Sequence, residues 1–171
     1  PALMEGLARA RPELPQLQVF LYPIGTEAHK AWMTASKMNL LSQISMVGPE
    51  VGTQELLMQV DAVIQPQPIH RVWTLTLAAM AAARPVIAAF SPDVDYMVPG
   101  NTYEQISAAN DPAAWADVLT ALPRRADHYA SLGRSARKYV QEHHGIGRYV
   151  SDVLAVYKEA TGEPIKFDPE S

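Results

Sequence analysis

Cysteine is absent from all 171 residues, which excludes a disulfide scaffold, a thiolate metal site and a cysteine nucleophile. Its absence fits a reducing compartment. No apolar run approaches the ~20 residues that cross a bilayer; the longest stretch, residues 75–90, is broken by Arg84 and Pro85. Charge is also sparse, 19% of residues with a formal net charge of -4. That balance lacks the basic excess with which proteins neutralise nucleic-acid phosphates. The opening Pro-Ala-Leu-Met-Glu-Gly has no basic stretch followed by an apolar core, so it does not read as a secretory signal. An opening proline reads instead as a processed chain or an excised piece.

What the chain does have is apolar content, 48% hydrophobic residues, too much for a disordered segment. At this length one domain can bury roughly 70% of its unfolded surface. Short apolar runs at 18–23 (QVFLYP), 44–47 (ISMV), 61–65 (DAVIQ) and 85–90 (PVIAAF) are bounded by turn residues and predict strands. None alternates cleanly between apolar and polar, which suits a parallel sheet covered on both faces. Helical spacing falls between them: residues 2–10 on Leu3, Leu7 and Ala10; 27–39 after a cap at Thr26; 54–60 after a cap at Thr53; and the alanine-rich 73–83. This alternation argues for βαβ units with right-handed crossovers.

The last third is mostly helical. After a short strand at 103–107, Asn110-Asp111-Pro112 predicts a helix start with proline in the first turn, and Pro123 predicts its end. Two further helices are expected at 128–144 and 149–161, separated by Gly145-Ile146-Gly147. Residues 1–162 therefore read as one domain and 163–171 as a loose tail. Trp32, Trp73 and Trp115 read as core or near-core residues. Residues 124–148 carry six Arg or Lys against two carboxylates. That excess could meet phosphate or an anionic membrane surface, although a solvated helix face is the commoner origin of such a pattern.

Ligands of open parallel sheets bind at the carboxyl ends of strands, near helix N-termini. Three loops qualify: 23–26 with Gly25, 48–52 with Gly48 and Pro49, and 66–71, where His70 and Arg71 precede the alanine-rich helix. No G-x-G-x-x-G, P-loop or G-x-S-x-G pattern occurs. His143 and His144 are adjacent and point in different directions on a helix, so a shared metal ion is not expected. Asp93 and Asp95 read as turn caps sooner than as a catalytic pair.

The stretch DAVIQPQPIHRVWTLTLAAMAAARPVI, 61–87, resembles the donor-side domain of GT-B glycosyltransferases of the family 4 (group 1) type. Asp61, Pro66, Ala79-Met80-Ala81 and Pro85-Val86-Ile87 fall in that family's register. Val19-Phe20-Leu21 with Gly25, the strand at 44–48, Gly100 with Thr102, and Asp111-Pro112 through Trp115 match further segments in order. The resemblance covers most of the chain. It implies a three-layer α/β/α Rossmann-like parallel sheet, one half of a GT-B fold, with extra C-terminal helices. By motif position it implies that His70, Arg71, Val72, Trp73, Thr74 and Ala78 face the donor, with Gly25, Val47, Gly48 and Pro49 on the nucleotide side.

The pattern is degenerate. The two glutamates that the family uses on donor sugar and ribose correspond here to His70 and Ala78, and its Gly-Phe-Gly to Arg71, Val72 and Trp73. The glycine before Pro-Val is replaced by Ala83-Arg84. The resemblance therefore implies a nucleotide-diphosphate sugar as substrate, no essential metal or other cofactor, no catalytic residue in this half, and a missing N-terminal GT-B domain as partner. The chain alone is not expected to catalyse transfer. A cytoplasmic location, peripheral to the inner membrane face if 124–148 touches lipid, follows from the same reading. The alternatives are a non-catalytic glycosyltransferase-like interaction or sugar-recognition module and, less favoured, an epimerase-like sugar-nucleotide protein.

Overall fold

In the computed structural model, which describes residues 2–22, 27–48, 50–68 and 74–162, strands and helices alternate as the apolar runs predict. Helix α1 (Ala2–Ala10) leads to β1 (Val19–Leu21), α2 (Glu27–Lys37), β2 (Ile44–Met46), α3 (Thr53–Gln59), β3 (Val63–Gln65), α4 (Thr74–Ala81), β4 (Val86–Ala89) and β5 (Glu104–Ile106). Three helices close the chain: α5 (Pro112–Arg124), α6 (Ala126–His143) and α7 (Ile146–Thr161). All strand pairs are parallel, β1 with β2 and, separately, β3 with β4 and β4 with β5.

Strand alternation divides the core between two faces. Val86 and Ala88 of β4 pack with Leu57 of α3, Met80 of α4 and Ala136 of α6. Ile87, between them, packs on the opposite face with Ile106, Trp115 and Tyr129. Met4, Leu7 and Ala10 of α1 join Ile44 and Leu119 there. Helices α1, α2 and α5 thus cover one face and α3, α4 and much of α6 the other, the three-layer α/β/α architecture. Trp115 is fully buried and Trp32 half-buried; Trp73 lies outside the described residues.

Several boundaries differ from the sequence expectation. Thr53 is the first residue of α3 rather than its cap, which is Gly52. The Thr53 hydroxyl lies 3.2 Å from the Tyr22 hydroxyl, a tertiary partner that competes with capping. Pro123 does not end α5, because the helix runs to Arg124 and the Arg125 N–H still reaches the Ala121 carbonyl at 2.8 Å. A proline so near the end forfeits only one ladder bond. Helix α7 begins at Ile146, with Gly145 as its cap, so Ile146 and Gly147 are helical, not spacer. Thr26 and the expected tail at 163–171 lie outside the described residues. By contrast, Asp111 caps α5 as the spacing predicts, its carboxylate accepting from the Ala113 N–H at 2.9 Å.

The turn from α4 to β4 explains one departure from the family pattern. Ala83 adopts φ 56, the left-handed region, where the pattern has glycine and an L side chain costs about 1–2 kcal/mol. Next to it, Arg84 donates from Nε to the Leu57 carbonyl at 2.8 Å and from a terminal nitrogen to the Met58 carbonyl at 3.0 Å. It thereby satisfies carbonyls at the end of α3. Ala83→Gly should raise stability by about 1 kcal/mol. An unchanged or lower urea midpoint would show that the turn holds no recoverable strain.

The 96–103 segment matches the family pattern more closely. Gly100 has φ 72, as a turn glycine should. Thr102 is fully buried, its hydroxyl accepting from the Val98 N–H at 2.8 Å and donating to the Tyr96 carbonyl at 2.6 Å.

Candidate functional site

The carboxyl ends of the parallel strands form the rim where a ligand of this fold class binds. At β1 the rim begins with Tyr22, tied to Thr53 at the start of α3 by the 3.2 Å hydroxyl contact. At β2 it holds Val47 and Gly48, at β3 Pro66 to Pro68, and at β4 Phe90 and Ser91. Phe90 is 52% exposed, an apolar side chain presented at the lip of the sheet. The Ser91 hydroxyl donates to the Ala89 carbonyl at 3.0 Å.

Of the sequence-predicted residues, Val47 is buried and its N–H donates to the Leu21 carbonyl at 2.9 Å. Its backbone therefore extends the β1–β2 ladder, and its side chain belongs to the interior. Gly48 is half-buried, and a Cβ there would meet the Glu50 carboxylate. Thr74 is exposed at the first position of α4, and Ala78 follows one turn later, half-buried against the core that holds Leu57 and Met80. The structure thus puts Thr74 and Ala78 on one side of a helix that starts at the rim, but spends Ala78 on packing. Gly25, Pro49, His70, Arg71, Val72 and Trp73 lie outside the described residues.

Sequence reasoning missed Tyr22, Thr53 and Glu50 as rim groups. The signal was available for Tyr22, a phenol directly after a predicted strand. For Thr53 the pairing with a residue 31 positions away is a tertiary fact. The rim residues named here offer hydroxyls and one carboxylate, and none is cationic.

The basic stretch at 124–148 is largely committed elsewhere. Arg124 pairs with Glu13 at 2.8 Å, Arg125 and His128 with Glu104 at 3.5 and 3.1 Å, and Arg148 with Asp152 at 3.6 Å. These are exposed or half-exposed pairs of small energetic weight. His143 stacks on Tyr139 with centroids 4.1 Å apart, and His144 meets Tyr96 edge-on. Among the described residues no group of three or more His, Asp or Glu could hold a metal ion. No helix of the described residues is long and apolar enough to cross a membrane.

Two phenols, both buried, have raised pKa values. Burial pushes Tyr129 above its ordinary 10.0, the Glu104 carboxylate adds to this and the Arg125 guanidinium opposes it. Burial also raises Tyr103, partly offset by a hydrogen bond with the Ser91 backbone. Both side chains are core residues, so the shifts mark packing and not a catalytic acid.

No protein-family model matches the sequence, and no curated protein matches it. Solved structures do match. Sucrose-phosphate synthase from Thermosynechococcus elongatus superposes with a TM-score of 0.78 at 19% identity, over 93% of this chain and 42% of that one. A point mutant of TarM from S. aureus, in complex with fondaparinux, α-GlcNAc-glycerol and UDP, gives 0.76 at 19% identity, over 91% of this chain and 32% of its own. The C-terminal domain of a glycosyl transferase group 1 family protein, LpcC from Francisella tularensis, gives 0.66 at 17% identity, over 85% and 78%. The chain therefore has the fold of the C-terminal half of GT-B glycosyltransferases. It spans less than half the length of the first two.

Proposed function

We propose that this chain is the nucleotide-sugar side of a group 1 glycosyltransferase, working when joined to a second Rossmann-like half. Residues 1–162 form one domain in this reading. The observation that carries it is the coincidence of the 61–87 block with β3, α4 and the start of β4, so that the motif positions from His70 to Ala78 follow a strand's carboxyl end. The UDP bound to TarM and the exposed apolar side of α7, where Ile146 is 79% and Tyr149 65% exposed, support a nucleotide donor and a partner half.

In the transfer, an acceptor hydroxyl oxygen bonds to the anomeric carbon while that carbon's bond to the diphosphate breaks. The acceptor proton goes to a base outside this half, and the diphosphate leaves with the electron pair. This chain's part is to hold the donor and meet the departing charge with Arg71, His70 and backbone amides of the loop and helix start. Such stabilisation needs no metal. The reaction belongs in the cytoplasm, beside the membrane if the acceptor is lipid-linked.

Titrating the two-half protein with UDP- and GDP-sugars by calorimetry tests this. Saturable heat with one donor class is the expected result; flat traces for all at millimolar concentration sink the enzyme reading. Ala78 packing into the core favours a second reading, a non-catalytic recognition module. His70→Glu combined with Ala78→Glu separates the two, since restored donor binding marks lost enzymology and no gain marks a remodelled surface.

A further inference from the structure

The carboxyl end of β2 carries an acid that the fold leaves unpartnered. The Val51 N–H donates to the Gly48 carbonyl at 3.2 Å, closing a turn that folds Glu50 back over the strand end. Its carboxylate stands where a Cβ of residue 48 would be, so a side chain at that position would displace it. Glu50 is exposed, and among the described residues its oxygens hold no hydrogen bond or ion pair. Glu13, Glu104 and Asp152, by contrast, each meet a basic side chain.

A held aromatic ring stands on the neighbouring strand end. Tyr22 follows Leu21, whose carbonyl accepts from the Val47 N–H at 2.9 Å, so the ends of β1 and β2 lie side by side, about 5 Å apart across the ladder. The Tyr22 hydroxyl lies 3.2 Å from that of Thr53, the first residue of α3. The phenol is thereby fixed at its backbone and at its tip, alongside the 48–52 turn, with the residue 37% exposed. A side chain already held loses little further rotamer freedom when a planar group stacks on it. The rim at β1 and β2 thus offers an anchored aromatic face and, beside it, two carboxylate oxygens without partners among the described residues.

We propose that Glu50 selects a guanine base in the donor, with Tyr22 as the face on which the base stacks. The inference rests on the reading of this rim as the nucleotide side and adds the identity of the base to it. An ionised carboxylate only accepts hydrogen bonds, through two oxygens set side by side. Guanine presents two adjacent donors, N1–H and the 2-amino group, and can meet both oxygens at once. Adenine and cytosine each offer one amino group next to an acceptor nitrogen. Uracil offers a single N–H between two carbonyls, so a carboxylate that meets it also faces lone pairs. Charge-assisted bidentate pairs belong to the strong class of hydrogen bonds, and one such pair on a base edge discriminates roughly 5- to 150-fold. Stacking on an aromatic side chain adds affinity with little regard to which base it is, so Tyr22 holds and Glu50 chooses.

Calorimetric titration of the full-length protein with GDP, UDP and ADP tests it. GDP should bind at least about fivefold tighter than either of the others. Glu50→Gln turns one acceptor into an N–H donor, a pattern that suits the N3–H and carbonyl of uracil. It should weaken GDP by about fivefold or more and leave UDP as tight or tighter. Gly48→Ala, which displaces the carboxylate, should lower the GDP preference in the same direction, whereas Tyr22→Ala should weaken all three nucleotides alike. Glu50 is exposed, so Glu50→Gln should keep the parent's melting temperature within about 2 °C. UDP or ADP bound as tightly as GDP by the parent, or an unchanged GDP preference in Glu50→Gln, overturns the base inference and leaves the donor reading standing. Flat traces with all three nucleotides on the folded protein remove the donor reading, and the inference with it.

Discussion

Trp115→Ala should remove about 3–5 kcal/mol of folding stability. At this chain length that lowers the melting temperature by roughly 8–15 °C. The indole is fully buried among Ile87, Ile106, Tyr129 and Leu132, and its Nε1 donates to the Ala109 carbonyl at 2.8 Å. Truncation leaves both a cavity and an unpaired carbonyl, and the surroundings cannot collapse easily. A Cβ placed on Gly6 of α1 would stand 2.5 Å from the Trp115 Cβ, so α1 and α5 already touch backbone to side chain. Trp115→Phe should cost clearly less, because it keeps most of the volume and loses the hydrogen bond. Thermal or urea unfolding reads both. Equal losses for Ala and Phe would mean that the hydrogen bond, not the volume, carries the effect.

Gly133→Ala should cost about 3 kcal/mol, the upper end for added bulk in a packed interior, despite the gain of about 1 kcal/mol that alanine brings to a helix. Gly133 is buried in α6, and a methyl there would run into the carbonyl of Ala83, with Pro85 N at 3.3 Å behind it. That carbonyl belongs to the left-handed turn at Ala83. The turn is held by the Arg84 N–H on the Ala79 carbonyl at 2.8 Å and by the start of the β3–β4 ladder. Neither side can shift without opening α4 against α6. Arg134→Ala, on the exposed side of the same helix, serves as control and should change stability by less than about 0.5 kcal/mol. A Gly133→Ala melting temperature within about 2 °C of the parent would show that the close approach is not rigid.

These two sites also bear on function. Gly133 and Ala83 fix α4 against α6, and the start of α4 follows Pro66 to Pro68 in the chain. Displacing the turn at Ala83 should move Thr74 and Ala78 with it. The degenerate motif is thus tied into the fold: Ala83 takes the strained conformation its glycine counterpart would take freely, and Arg84 uses its guanidinium to finish α3.

Much of this was legible in the residues. The runs at 18–23, 44–47, 61–65 and 85–90 hold the parallel strands; β4 is buried on both faces as a continuous apolar run suits, whereas Phe20 of β1 and Met46 of β2 stay exposed. Asp111-Pro112 declared its helix start because the cap and the missing N–H act locally. Local rules failed where a distant partner competed. Thr53 left its capping role for Tyr22, and Pro123 was tolerated because its lost bond falls in a last turn that other contacts hold. For the site, Val47 and Gly48 stand at the end of β2. What the sequence could not show was that Val47 and Ala78 turn their side chains into packing, since facing is set by which neighbours arrive.

The amino-acid sequence alone determined the parallel α/β architecture, the order of the elements and the departure from the glutamate-bearing donor motif, because periodicity and residue chemistry are properties of neighbours along the chain. Only the tertiary structure decided that, among the described residues, β1 and β3 share no ladder, that Gly133 seats the Ala83 carbonyl, and that Arg124, Arg125 and Arg148 pair with Glu13, Glu104 and Asp152. Each of these depends on groups far apart in sequence. Their meeting is fixed by packing and by the search of every buried polar group for a partner, which no local pattern encodes.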